Sequence, residues 1–334
     1  MRIFLSFCMI CLLGLGGVAG GVAYGYSLYT SKGVLSKDVQ LIIPKGTGVS
    51  GIAALLKDKD IIDNPLLFKI MARVTDVQSD LKAGEYQFSA HVSMDEVFSK
   101  LSSGEIILRQ ITIPEGYTSF EIVRLLKKKK GIEHDIKTTP LEGTLLPNTY
   151  SYQSTDTALS IIDQMETALT DILETAWSSK ASTLPFKTKR EAIILASIIE
   201  KETGVATERA KISGVFVNRL NKGMPLQTDP TVIYAITKGA HKDTGRGPLG
   251  RRLLRKDLSI DSPYNTYKYA GLPKGAICNP GKDAIIAALN PEKHNYLYFV
   301  ADGTGGHIFS KTLAEHNRNV AQWRKIRARK LRGK

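Results

Sequence analysis

The chain is poor in cysteine, in acid and, near its start, in charge of either sign. Of three cysteines in 334 residues, Cys8 and Cys11 sit in an apolar stretch, leaving Cys278 alone in the folded part. No disulfide can form there, and no cysteine pair or His-Glu-x-x-His pattern gives metal-ligand spacing, so no cofactor and no metal are expected. Acidic residues number 32 against 46 lysines and arginines, a net charge of +14 that suits polyanionic partners. No charged residue occurs between Ile3 and Ser31. A bilayer span takes about 20 to 25 apolar helical residues. Phe4 to Leu28 is therefore expected to be an uncleaved anchor, with Tyr24, Tyr26 and Tyr29 at the interface. A cleaved leader is the rival, but its apolar core would usually run only ~7–15 residues. Without a second span, the remainder is expected outside the cytoplasm, where lipid headgroups and cell-wall polymers are the available polyanions and nucleic acid is not.

Hydrophobic residues make up 43% of the chain, enough for one large or two ordinary domains. The fold class expected is α+β, with an anchor over residues 1–31, a small α+β module over 38–105 and a mixed α+β domain over 106–334. One repeat stands out. Ile43-Pro44-Lys45-Gly46 followed by Ile52, Leu55 and Leu56 matches Ile113-Pro114-Glu115-Gly116 followed by Ile122, Leu125 and Leu126, and each copy reads as strand, turn and amphipathic helix. Between the copies, a helix is expected from Pro65 to about Val74, a hairpin at Gly84 to Phe88 and a helix from Met94 to Leu101. Further helices are expected from Ala158 to Trp177 and from Thr207 to Leu220, then two strands, Tyr296 to Ala301 and His307 to Phe309, and a basic helix from Leu313. The basic runs at Lys127 to Lys130, Arg246 to Lys256 and Arg324 to Lys334 read first as solvated surface.

Chemistry concentrates between Lys189 and Tyr234. Arg190 to Thr203 reads as a helix stopped by Gly204; at about 100° per residue, Ile194, Leu195, Ile198 and Ile199 form one apolar stripe with Glu202 on its midline and Glu200 pointing away. A carboxyl at the end of a buried stripe is poorly solvated and faces the negative end of the helix dipole. Both effects favour the protonated form that a general acid requires. Leu226 to Thr231 reads as a helix start capped by Asp229, with Gln227 and Thr228 freer to face a ligand. Ser262 to Tyr267 brings together Tyr264, Asn265 and Tyr267, whose flat rings and amide suit sugars, although ordinary turns use the same residues. Ser79-x-x-Lys82 matches a serine–lysine nucleophile pattern of a kind common by chance.

Taken in order, the run from Ala196 to Thr203, then Val215 to Leu220, Leu226 to Tyr234, Tyr264 to Tyr267, Gly271 to Pro273 and Tyr296 to Asp302 resembles the endolytic murein transglycosylase family, also described as YceG-like. The resemblance covers essentially the whole chain. It implies a single-pass inner-membrane enzyme with a LysM-like module and a periplasmic domain carrying a lysozyme-like catalytic helix. That domain would cut peptidoglycan strands internally and end their elongation. It makes Glu202 the catalytic acid, and Glu202-Thr203 looks like the Glu-Ser signature of lysozyme-like transglycosylases. The implied reaction cleaves the bond between MurNAc and GlcNAc and leaves a 1,6-anhydro end. Gln227, Asn265 and Tyr267 are then the candidates for positioning the sugar, with Tyr264 and Thr228 behind them. Peptidoglycan strands, and peptidoglycan synthases such as penicillin-binding proteins, are the implied partners. Two other readings stay open: a muramidase-type hydrolase pairing Glu202 with Asp229 or Glu208, and a noncatalytic wall-binding scaffold. Asn148, where relatives commonly carry Asp, and the basic Arg246 to Lys256 segment depart from the pattern.

Overall fold

The protein is described by a computed structural model covering residues 16–17, 19–129, 132–242 and 246–332. It divides into two compact units, Met1–Gln110 with Ser151–Asp156 and Ile111–Tyr150 with Thr157–Lys334.

In the first unit, strand β1 (Val39–Ile43) pairs antiparallel with β2 (Gly84–Phe88), Leu41 opposite Tyr86. Helices α1 (Val49–Asp58), α2 (Pro65–Val74) and α3 (Met94–Ser103) complete it. Local chemistry sets the helix ends. Asn64 accepts the Leu67 N–H just ahead of Pro65, Ser93 and Glu96 form a reciprocal capping box, and Gly104 closes α3 at φ 76°. Ile43, Leu56, Phe68, Phe88 and Leu101 fill the core, where Phe68 stacks on Phe98 at 4.3 Å. Gly84–Phe88, expected as a hairpin, is one strand: its ladder partner is β1, forty residues upstream, not a neighbouring turn.

The expected transmembrane anchor, and with it the inner-membrane localisation, is not supported. Among the described residues no helix is long and apolar enough to cross a membrane. Most of the stretch assigned to the anchor, residues 1–15 and 18, lies outside the described residues. Tyr29, expected at a lipid interface, is buried against Phe98 at 5.9 Å.

Strands β3 (Arg109–Thr112) and β4 (Thr149–Tyr152) form a second two-stranded sheet. The second unit then holds α4 (Ser119–Lys128), α5 (Ala158–Ser178), α6 (Lys189–Glu202), a single 3-10 turn at Ala206–Glu208, α7 (Arg209–Asn221), α8 (Asp229–Thr237) and α9 (Lys282–Leu289). Its last elements are an antiparallel hairpin, β5 (Tyr298–Ala301) with β6 (His307–Ser310), and helix α10 (Leu313–Arg332). The hairpin turn is tied by the Asp302 carboxylate, which accepts the N–H groups of Thr304, Gly305 and Gly306.

Helix α6 is the centre of this unit. It opens on a capping box between Thr188 and Glu191, and every residue from Ala192 to Ile199 is buried. The sequence suggests one apolar stripe; the structure buries the helix all round, because α7, α8 and α9 each pack against it. Small Ala192, Ala196 and Ser197 let those neighbours approach, and Ser197 bridges by donating to Ile194 O and accepting from Ile277 N. The segment after α8 is tied through Asn279 to the chain around Tyr117 and Gly143. Its amide Oδ1 accepts Gly143 N–H and Leu145 N–H, while Nδ2 donates to Tyr117 O and Ser119 Oγ.

Candidate active site

Glu202 is the last residue of α6, where the chain leaves helical geometry at Thr203. It lines a cavity of about 540 Å³ together with Arg219 of α7, Gln227, Thr228 and Asp229 at the start of α8, Tyr267, Tyr298 of β5, and Leu313, His316, Trp323 and Arg324 of α10. That volume lies within the ~300–1,000 Å³ range of small-ligand sites. Among the described residues, no donor hydrogen-bonds the Glu202 carboxyl. Burial, and then the nearby negative charge of Asp229, push it up to about 7, against the opposing pull of Arg219.

The opposite faces of the cavity are built rigidly. Arg219 donates from Nε to Leu297 O and from Nη1 to Pro225 O and Leu226 O, so its guanidinium clamps three loop carbonyls, and it lies 5.1 Å from the Tyr298 ring centre. Asp229 is not the cap the sequence suggests: Thr228 occupies the N-cap position and Pro230 the first turn. Asp229 instead accepts from the Tyr267 hydroxyl at 2.6 Å, which holds its carboxylate at the cavity. Gln227 stands exposed in the left-handed region at φ 56°, its N–H bound to Thr266 O, so its side chain projects from a fixed turn. The Thr228 hydroxyl is buried without a hydrogen-bond partner.

Two of the residues expected to contact sugar stand elsewhere. Asn265 is buried and spent on its own loop: Nδ2 donates to Leu258 O and Ile260 O, and Oδ1 accepts Tyr267 N–H. It positions Tyr267 and does not line the cavity. Tyr264 packs against Tyr234 at 4.9 Å and lines a different cavity of about 550 Å³, beside Glu142, Arg190 and Ile194. The spacing could not separate the two tyrosines, because three residues of turn send Tyr264 and Tyr267 to different sides.

Glu142 raises a rival, since burial pushes it too up to about 7. Its carboxylate, however, accepts the Ser119 N–H at 3.1 Å and sits beside Asn279, so it is engaged in holding two loops together. Glu200 also differs from expectation: it points away from the cavity, but it is buried, accepts Gly281 N–H at 2.9 Å and lies 3.8 Å from Arg209. Glu208, a possible second carboxylate, is held by His307 through Nδ1 and the backbone N–H. Glu202 is the carboxyl that combines a raised pKa, freedom from protein donors and an open groove. The model of the YceG-like family matches residues 41–322, most of the chain, with Glu202, Arg219, Gln227, Asp229 and Tyr267 inside the match and Trp323 and Arg324 just beyond it.

The chain belongs to the YceG-like family. A Bacillus subtilis protein named endolytic murein transglycosylase is 37% identical over 339 residues, covering 90% of this chain and 89% of that protein. A Streptococcus pneumoniae D39 protein of the same name is 32% identical over 362 residues; the match covers 94% of this chain and 63% of the longer relative, less than two thirds of its length. A yceG-like protein of Listeria monocytogenes, solved by crystallography, superposes with a TM-score of 0.51 at 35% identity, covering 85% of this chain and 99% of the solved one.

In this YceG-like chain the groove owes as much to residues without a motif as to those with one. The sequence gives no site role to Arg219, His316, Trp323 or Arg324; Arg324 stands there only as the start of a basic run. Arg219 carried a faint signal, a cation inside the apolar run Val215 to Leu220. The α10 residues carried none, because a helix this basic looks like solvated surface until β5 and β6 are seen against it. Among the described residues, no group of three or more His, Cys, Asp or Glu is placed to hold an ion.

Proposed function

We propose that this chain is a peptidoglycan lytic transglycosylase that cleaves the bond between MurNAc and GlcNAc inside a glycan strand and leaves a 1,6-anhydro-MurNAc end. The observation that carries the reading is the Glu202 carboxyl: near half protonation at neutral pH, unpartnered, and facing a groove of sugar size. The names of the Bacillus and Streptococcus relatives support it.

The chemistry needs one acid. Glu202 gives its proton to the glycosidic oxygen, the bond from that oxygen to C1 of MurNAc breaks, and positive charge develops on the ring. The 6-hydroxyl of the same sugar closes on C1, and the Glu202 carboxylate takes the hydroxyl proton. No water is consumed and no charge is left over. Asp229, held by Tyr267, supplies negative charge near the ring as it turns cationic. Fixing an internal nucleophile removes much of the entropy a second reactant would cost. Gln227 projects into the same groove and is the residue best placed to hold an acetamido group. Internal cuts of this kind in growing strands would terminate their elongation beside the synthases that make them.

A second reading, muramidase-type hydrolysis, is favoured by one observation: Asp229 stands near enough for its charge to raise the pKa of Glu202, giving two carboxyls in one groove. Product ends separate the two. Mass spectrometry of purified glycan strands digested with the parent, Glu202→Gln and Glu200→Gln proteins should show anhydro ends for the parent and Glu200→Gln and none for Glu202→Gln. Reducing ends would select hydrolysis. Unchanged effects of Glu202→Gln on glycan length in cells would select a noncatalytic scaffold.

A further inference from the structure

The Glu202 groove is electrostatically lopsided. Its carboxyls, Glu202 and Asp229, come from α6 and α8, whereas α10 contributes Trp323 and Arg324 with no carboxylate. Arg324 is exposed and, among the described residues, no acidic side chain pairs with it. Trp323 is half-buried, with the Arg327 guanidinium 5.3 Å from its ring centre, so the indole is steadied from one side while it still lines the cavity. His316, about two helical turns earlier, has its pKa lowered by burial and by Arg219 and adds a neutral ring to the same face. An aromatic plane next to an unpaired guanidinium matches a pyranose that bears a carboxylate: the ring's C–H face lies on the indole and the anion meets the guanidinium.

Resting on the lytic reading above, we propose that α10 forms the substrate-reading wall of the groove, with Trp323 stacking on a sugar ring and Arg324 binding a carboxylate carried by that sugar. The carboxylate can come from the lactyl ether of a muramic acid or from a peptide attached to it. Either one would orient the strand so that its anionic side faces α10 and its glycosidic oxygen faces Glu202. Arg324 and Trp323 are specificity residues in this arrangement; proton transfer belongs to Glu202.

The test uses the full chain carrying Trp177→Phe, so that Trp323, the other of the two tryptophans, reports alone. Three ligands are titrated: glycan strands with their peptides, strands stripped of peptides so that lactyl carboxylates are free, and uncharged GlcNAc oligosaccharide. Trp323 emission should respond to all three. Arg324→Gln should weaken the charged strands about tenfold and leave the neutral oligosaccharide unchanged, with Arg324→Lys between them. Loss restricted to one charged ligand identifies the source of the carboxylate. In cleavage assays Arg324→Gln should raise KM and leave kcat within about twofold. Equal affinity of parent and Arg324→Gln for charged strands, or equal loss on neutral and charged ligands, overturns the proposal. Binding that behaves as expected without anhydro products would instead sink the lytic reading and leave the wall intact.

Discussion

At the level of single residues, the site depends on a carboxyl that keeps its proton. Because Glu202 acts first as an acid, cleavage should fall as pH rises through about 7, the value to which burial and Asp229 bring it. The same shift acts on stability. A folded-state pKa above the ordinary glutamate value means the native state holds a proton the unfolded chain has released. That stabilisation is complete below the ordinary value and is lost as pH climbs through about 7. Glu202→Gln should therefore lower kcat by ~10²–10⁴-fold. It should also flatten part of the loss of Tm seen toward alkaline pH; Glu142 and Glu200, both raised by burial, keep their share. Asp229→Asn removes the second cause of the shift, so the alkaline limb should move to lower pH while anhydro ends persist; a switch of product or total loss would mean Asp229 is a partner in hydrolysis. The position of Glu202 on the apolar face was legible, since helix periodicity alone aims it there. The fate of Asn265 was not: an amide can bind sugar or tie its own loop, and only the carbonyls of Leu258 and Ile260 decide.

At the level of elements, the periodic segments were readable and their surroundings were not. Both strand–turn–helix copies form, with Gly46 at φ 82° and Gly116 at φ 74° making the turns. The helices expected from Pro65 and Ala158 start at those residues. What periodicity could not show is how many neighbours a helix has. That is why α6, amphipathic by its sequence, is buried all round, and why the sequence around Gly84–Phe88 suggests a local partner where the true one is β1. The cap of α6 and the loop tie beside it give two stability tests. Thr188→Ala should cost about 1 kcal/mol by removing the helix cap, read as a lower denaturant midpoint with unchanged m. Asn279→Ala strands the buried N–H groups of Gly143 and Leu145 and should cost more, about 3 kcal/mol.

At the level of the whole molecule, the charge of +14 acts through solution. If the substrate is an anionic polymer, raising ionic strength should raise KM for peptidoglycan strands while leaving kcat nearly constant, because screening weakens encounter and holding more than bond breaking. A KM indifferent to salt would assign the basic surface to some other purpose. The charge was plain in the sequence, yet its placement was not: α10 looks like one more solvated run and proves to line the groove. The sharpest measurement concerns the water molecule. Digestion of purified glycan strands in ¹⁸O-labelled water should give termini free of the label, since the attacking oxygen already belongs to the sugar. One labelled oxygen per broken bond would show that water attacks, and Glu202 would then be half of a hydrolytic pair.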